Sequence, residues 1–352
     1  MSELLSISSR LRDYTVDRRD DDWAGEFAAQ DGAVTVVDEN VWRLHRDGVL
    51  AGIADPILLP IDEERKTFAS VAWLYDRLLE RGLRRNGTLV SVGGGITQDL
   101  SGFAASTLYR GVRWVYAPTT LLAQADSCIG AKTSLNYEAY KNIIGTMYPP
   151  HGIVIDPRFL GTLSRDDFFS GLGEVVKLHV IGGAESARGL EGAMGAQYER
   201  RADAVAAAVD GSLHIKRSYI EEDEFDRGRR NLLNYGHCFG HALEAATDFA
   251  VPHGQGVVLG MLLAAAVAAR RGLLGEVLRA ELEERLFLPT LAVHPRLDEL
   301  GRDRVLEAMR HDKKRTGKGL ALVMCCDGFE MLQVGDLSET EALVALGELE
   351  RW

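Results

Sequence analysis

Three things are scarce in this chain of 352 residues, and each scarcity excludes something. There is no long hydrophobic run: VVLGMLLAAAVAA covers about thirteen residues, against the roughly 20 that cross a bilayer. The opening MSELLSISSRLRDYTVDRRDDD has no apolar signal-peptide core, so a cytoplasmic protein is expected. Cysteine is sparse. Cys128, Cys238, Cys325 and Cys326 make no CxxC pair and no zinc-ribbon spacing, which excludes a disulfide framework and reads as ordinary thiols. Positive charge is also short, with 40 Lys and Arg against 52 Asp and Glu and a net charge of −12. Nucleic acids and anionic membranes require broad basic surfaces, so neither is an expected partner. No repeat of 20–50 residues and no low-complexity linker is visible.

What remains is a globular composition, 46% hydrophobic and 26% charged, enough to bury a core. GAVTVVDENV and GTLVSVGGGI are short β-rich runs ended by turn residues, and DEERKTFASVAWLYDRLLERGL between them has helical periodicity. VRWVYAPTTLLAQ and GIVIDP read as further strands, with helix-like DLSGFAASTLYRG ahead of the first. Strand, helix, strand in succession predicts an α/β nucleotide-binding domain with a parallel sheet over about the first 155 residues. After Asp156 and Pro157 the texture becomes helical: SRDDFFSGLGEVVKLHVI, ERRADAVAAAVDGSLHIKRSYIEED, GHALEAATDF and GQGVVLGMLLAAAVAARRG. Two domains sharing a ligand cleft are expected.

SVGGGITQD follows a strand and opens a helix, where glycine-loop and helix N-terminal N–H groups can hold a diphosphate, although it is not GxGxxG and a tight turn has the same look. Asp38 after the first strand can accept from a ribose or cap a helix. His237 and His241 are four apart and share a helix face. The intervening residues are CFG and not the Exx of a zincin, so the pair is either metal-binding or satisfied by backbone and water. His253, between Pro252 and Gly254, sits where it can complete a site. Glu174 lies among apolar neighbours with Lys177 three residues on, and a buried carboxylate is rarely left without a partner or metal. One Glu with two His is a ligand set for catalytic zinc. Arg110, Lys132, Lys141, Lys177, Lys216, Arg230 and Lys314, beside Gly, Asn or Thr in an acidic protein, suggest a small anionic substrate carrying phosphate or carboxylate.

In order along the chain, DENV, EERK, GGGITQDLSGFAAS, YRG, PTTLLAQADSCIGAKT, YKNIIGTMYPP, SGLGEVVK, IKRSYIEEDEFDRGRRNLLNYGHCFGHALE, PHGQGVVLGM and DKK resemble the sugar phosphate cyclases, closest to the 3-dehydroquinate synthases. That resemblance implies an NAD-binding α/β domain over residues 1–158, a mostly α-helical metal- and substrate-binding domain over 159–352, and a homodimer. It implies that Asp38, Asn40, Glu63, Lys66, Gly94, Gly95, Asp99, Thr119, Thr120, Lys141, Thr162 and Leu163 contact NAD, and that Glu174, His237 and His253 hold Zn2+ or Co2+. Asp126, Arg110, Lys132, Asn142, Lys177, Lys216, Arg230, Asn234, His241 and Lys314 match the substrate pocket, with Arg110 reaching across from a partner subunit. By the same resemblance NAD is recycled within each turnover, and Lys132, Asn142, Lys177 and His241 cradle the phosphate.

Arg230, Lys216 and Lys314 match positions that hold a substrate carboxylate, and Asn234 and His241 keep the synthase identities. This points to 3-deoxy-arabino-heptulosonate 7-phosphate as substrate. Some positions depart from the usual pattern. Where that pattern reads GGKTGVNHPLGKN, this chain has GAKTSLNYEAYKN, with Ala131 for Gly and Tyr140 before Lys141, and KLHVIGG with His179 follows Glu174. These departures fit a specialised branch acting on an amino analogue, on sedoheptulose 7-phosphate or on glucose 6-phosphate. An NAD- and metal-dependent alcohol dehydrogenase is the reading from another class. A sugar-phosphate-binding regulator is disfavoured by the complete metal, lysine and asparagine set.

Overall fold

Runs of β-branched residues with both faces buried build the sheet of the first half. In this computed structural model, which describes residues 2–138, 140–293, 301–310 and 320–351, the sheet comprises seven strands. They are β1 (Ser2–Ile7), β2 (Tyr14–Arg18), β3 (Ala33–Asp38), β4 (Ile57–Leu59), β5 (Thr88–Gly93), β6 (Arg113–Pro118) and, beyond a separate antiparallel hairpin of β7 (Lys132–Tyr137) and β8 (Tyr140–Met147), β9 (Gly152–Ile155). The order is β1-β2-β9-β6-β5-β3-β4, with β1–β2 antiparallel and the other pairs parallel. Every residue of β5 is buried, the pattern a parallel sheet covered on both faces requires. Its helices are α1 (Trp23–Ala28), α2 (Glu39–His45), α3 (Phe68–Glu80) and α4 (Gly95–Thr107). A core of Trp23, Val37, Leu50, Val90, Val92, Val115, Val154 and Phe159 lies against the sheet.

The expected strands are present as β3, β5, β6 and β9, with three differences. VRWVYAPTTLLAQ stops being strand at Pro118, and Ala123–Ser127 turns helical; proline offers no N–H to continue a ladder. The helix expected from Asp62 begins at Phe68, because Thr67 caps it by accepting from the Ser70 N–H while Asp62 caps a separate turn. The helix expected from Asp99 begins at Gly95, so the glycine loop is its first turn.

The chain divides into two compact units, Met1–Leu163 and Ser164–Trp352. The division falls after Leu163, past residue 158, because the turn Pro157–Thr162 belongs to the first unit: Phe159 is in its core and Thr162 Oγ1 lies 2.8 Å from His45 Nε2.

The second unit is mostly helical, with α5 (Arg165–Ile181), α6 (Ala184–Tyr198), α7 (Ala202–Glu222), α8 (His237–Ala246) and α9 (His253–Arg270), and it also holds an antiparallel hairpin, β10 (Leu320–Cys325) with β11 (Met331–Leu337). Helix α9 is long and apolar enough to cross a membrane, yet it is buried from Gly254 to Ala268 as the core of this unit. Helices α5, α8 and α9 approach so closely that side chains are excluded at their contacts. A Cβ on Gly254 would lie 1.7 Å from the Ser170 carbonyl oxygen, and one on Gly260 would lie 1.8 Å from that of Gly236.

Candidate active site

One such close contact places two of the residues expected to ligate a metal. Gly173 on α5 meets Gly254 on α9, and the residues beside them are Glu174 and His253. Glu174 Oε1 lies 3.0 Å from His253 Nε2 and 3.6 Å from His237 Nε2. His237 opens α8 after Gly236, whose φ of +79° is the left-handed conformation glycine adopts without strain. His241, one turn on, joins the cluster: the ligand atoms of His237, His241 and His253 lie within 4.8 Å of one another. Lys177 Nζ lies 2.5 Å from Glu174 Oε2, and both side chains are almost completely buried.

The ring tautomers are set from behind. His237 Nδ1 is 3.1 Å from the Tyr235 carbonyl oxygen, which can only accept, so Nδ1 carries the proton and Nε2 offers a lone pair. His253 Nδ1 is 2.9 Å from Glu244 Oε1, a carboxylate outside the expected ligand set. Two imidazole Nε2 atoms thus face one carboxylate oxygen, an arrangement that calls for a cation between them. Burial pulls the His253 imidazole down, but the Glu244 charge and the hydrogen bonds with Glu174 and Glu244 outweigh it and push its pKa up to about 10. Glu and His donors with their far nitrogens bonded to acceptors fit a divalent cation such as zinc.

Beside this cluster lies a cavity of about 440 Å3, lined among others by Asn231, Asn234, His237, His241, Arg227 and Gln333. Its wall includes the hairpin β10–β11, which sequence periodicity missed. Of the expected substrate residues, Asn234 and His241 line it. Arg230 is buried and donates to the Glu224 carbonyl, and Arg227 stands in the cavity wall instead. Lys216 is buried on α7, and Lys314 lies outside the described residues.

In the first unit the expected NAD residues gather at the carboxyl ends of adjacent parallel strands, where ligands of open α/β sheets bind. Asp38 ends β3, Gly94 and Gly95 follow β5, and Thr119 and Thr120 follow β6. Asp38 also caps α2, its Oδ1 accepting from the N–H of Asn40 at 2.8 Å and of Val41 at 3.3 Å, and burial raises its pKa. A second group is one hydrogen-bonded web. Lys66 Nζ lies 2.5 Å from Asp99 Oδ2 and 2.6 Å from Asn142 Oδ1, and Glu63 Oε1 lies 2.9 Å from Asn136 Nδ2 and 3.2 Å from Lys141 Nζ. Asn142, expected in the phosphate contact, therefore shares its partners with the NAD group. Asp126 lies in the turn Ala123–Ser127, and Lys132 is exposed at the start of β7. Arg110 is exposed on a turn in which Tyr109, at φ +53°, and Arg110, at φ +64°, are both left-handed.

Sequence reasoning missed Glu244, Asn136, Ser134 and Gln333. Glu244 was legible, because it follows His241 by three and His237 by seven residues and so falls on their helix face.

The fold and the site define an enzyme that uses a dinucleotide and a divalent metal. The domain family described as 3-dehydroquinate synthase N-terminal matches residues 56–170, and the one described as 3-dehydroquinate synthase C-terminal matches residues 171–315. A 3-dehydroquinate synthase of Methylococcus capsulatus is 40% identical over 299 residues, 83% of this chain and 82% of that protein. One from Dehalococcoides mccartyi is 36% identical over 291 residues, 83% of this chain and 80% of that protein. Among solved structures, a 2-epi-5-epi-valiolone synthase from Streptomyces hygroscopicus with NAD+ and Zn2+ bound superposes with a TM-score of 0.84 at 25% identity, covering 100% of this chain and 99% of that one. The chain belongs to the 3-dehydroquinate synthase family.

Proposed function

We propose that this chain is a phosphate-eliminating cyclase that converts 3-deoxy-arabino-heptulosonate 7-phosphate to 3-dehydroquinate and inorganic phosphate. The observation that supports the reading is the buried Glu174 with the partly buried His237 and His253, both of whose Nε2 atoms turn to one of its carboxylate oxygens. When bound, NAD supplies a hydride acceptor that is restored within the cycle, and the metal supplies Lewis acidity at neighbouring substrate oxygens. Glu174, His237 and His253 would hold the metal; Asp38, the loop at Gly94 and Gly95, and the Lys66 and Asp99 pair would hold the dinucleotide. Lys132, Asn142, Lys177 and His241 contact the phosphate and stabilise its charge as its bond to carbon breaks. In this reading the departing phosphate takes the proton from the adjacent carbon, and no separate carboxylate base is invoked. Lys216, Arg230, Asn234 and Lys314 bind the carboxylate and ring hydroxyls. Arg110 completes the pocket of a partner subunit in a homodimer, in keeping with its exposed, left-handed turn. A cytoplasmic location accords with four free thiols.

A second reading has its own observation. Arg230 is engaged by the Glu224 carbonyl and is not in the cavity wall, which fits a substrate without a carboxylate, such as sedoheptulose 7-phosphate. Phosphate release from the heptulosonate phosphate, sedoheptulose 7-phosphate and glucose 6-phosphate, measured side by side with product identification, separates the two. The first reading requires preference for the carboxylated substrate, and Arg230→Ala then reduces its turnover far more than that of a neutral heptulose phosphate. Stoichiometric NADH accumulation without phosphate release would instead make the protein a dehydrogenase.

A further inference from the structure

The hairpin β7–β8 carries a hydroxyl that the assigned site does not use. Ser134 stands where the usual motif, GGKTGVNHPLGKN, has its third glycine. Its backbone N–H donates to Asp99 Oδ1 at 2.7 Å, and its Oγ lies 3.0 Å from Asp99 Oδ2 and 2.8 Å from Asn142 Oδ1. Lys66 closes a ring through the same two partners, 2.5 Å from Asp99 Oδ2 and 2.6 Å from Asn142 Oδ1.

The ring fixes the polarity of the Asn142 amide. An ammonium group has only donors, so the Asn142 atom beside Lys66 is the carbonyl oxygen. The Ser134 hydroxyl has one proton and two acceptors in reach. The contact to Asn142 Oδ1 is the shorter, 2.8 Å against 3.0 Å, and the proton is assigned there, while the backbone N–H already ties the same residue to Asp99. With its oxygen fixed by Lys66 and Ser134, the polarity of the amide is set, and its NH2 is the donor that Asn142 can offer an anionic oxygen. Asn142 has φ +53°, a left-handed conformation that costs a non-glycine residue energy and persists only where surrounding contacts fix it.

We propose that Ser134 is a positioning residue for anion binding: its hydroxyl, with Lys66, orients Asn142 so that the amide NH2 meets a phosphoryl oxygen of substrate and product. This rests on the assignment of Asn142 to the phosphate contact. Glycine at position 134 keeps the backbone N–H to Asp99 and lacks the second tether on Asn142.

The test uses the full chain loaded with NAD and metal, with inorganic phosphate as probe, its affinity read by calorimetry and by inhibition of turnover. Ser134→Ala and Ser134→Gly are compared with Asn142→Gly, which tolerates the positive φ, and with the double variant Ser134→Ala/Asn142→Gly. Loss of one hydrogen bond predicts that each Ser134 variant weakens phosphate binding about 3–10-fold and raises the sugar phosphate KM with little change in kcat. NAD+ affinity moves less than about twofold, Ser134→Thr restores phosphate binding, and the double variant binds phosphate no more weakly than Asn142→Gly. Unchanged phosphate affinity in both Ser134 variants, while Asn142→Gly loses it, overturns the proposal alone. Unchanged affinity in Asn142→Gly removes Asn142 from the phosphate contact, and the proposal falls with that part of the functional reading.

Discussion

The two units hold their functional groups by opposite means. In the first, the groups sit at strand ends and on a hairpin, tied by a web in which Asp99 has Lys66 and Ser134 as donors and Asn142 has the same two. In the second, the groups project from helices whose backbones touch, so the positions of Glu174 and His253 follow from the contact of Gly173 with Gly254. A web with several tethers yields gradually when one is cut. A backbone contact has no slack, and one added methyl displaces everything beside it.

The sharpest way to break the second arrangement is to remove a proposed ligand. Glu174→Ala and His253→Ala are expected to purify without stoichiometric metal and to lose about a thousandfold or more in turnover, read by elemental analysis and phosphate release. His241→Ala tests the division of labour within the cluster. Its ring lies beside the imidazoles of His237 and His253, the proposed ligands, yet its own proposed role is on phosphate, so full zinc with lost activity is expected, and loss of zinc would move His241 into the ligand set.

Next in size is the glycine contact. Gly254→Ala puts a Cβ 1.7 Å from the Ser170 carbonyl oxygen and must push α5 and α9 apart. A loss of about 3 kcal/mol is expected, seen as a lower melting temperature of the second unit together with weaker metal retention. NAD+ binding at the strand ends should survive, and its loss would show that the two units do not fail separately. A milder perturbation is Glu244→Gln, which keeps the shape but removes the charge behind His253. Such outer partners typically contribute 10–100-fold in metal affinity, so a loss of about tenfold in zinc binding is expected by chelator competition.

The contrast also governs what could be read from the sequence. Local periodicity suffices for β3, β5, β6, β9 and the long helices, since each has a buried face written in its own residues. It does not suffice for β1, β2, α6 or the hairpin β10–β11: β1 and β2 are defined by pairing at the sheet edge, and α6 is glycine-rich with a weak apolar face. For the site, i and i+4 spacing alone nominated His237 with His241, whereas the convergence of Glu174 and His253 depends on helix contacts 79 residues apart in sequence. The glycines that make those contacts look like ordinary helix weakness in a linear reading. Arg230 carries a detail that residue type does not show: its guanidinium donates to the backbone carbonyl of Glu224, while Arg227 lines the cavity.

The smallest effect expected is a pH dependence in the first unit. His151, between β8 and β9, accepts the Trp114 backbone N–H on Nδ1 at 3.2 Å. Burial lowers its pKa, and the charges of Arg12 and Arg113 add to the effect, down to about 4 from an ordinary 6.5. The unfolded chain therefore takes up a proton near pH 6.5 that the folded chain refuses until about pH 4. Stability from this group is complete above pH 6.5 and falls as pH drops toward 4. The full shift corresponds to roughly 3 kcal/mol, and screening at this half-buried ring reduces it to about 1–2 kcal/mol. His151→Asn, whose Oδ1 can accept the same N–H without titrating, should flatten the slope of unfolding free energy against pH between 4 and 6.5. An equal slope in wild type and variant would assign the acid sensitivity elsewhere. His45 in the first unit and His179 in the second, whose ring contacts the Ala208 and Ser186 carbonyls, are other sources with the same sign, because burial lowers the pKa of each.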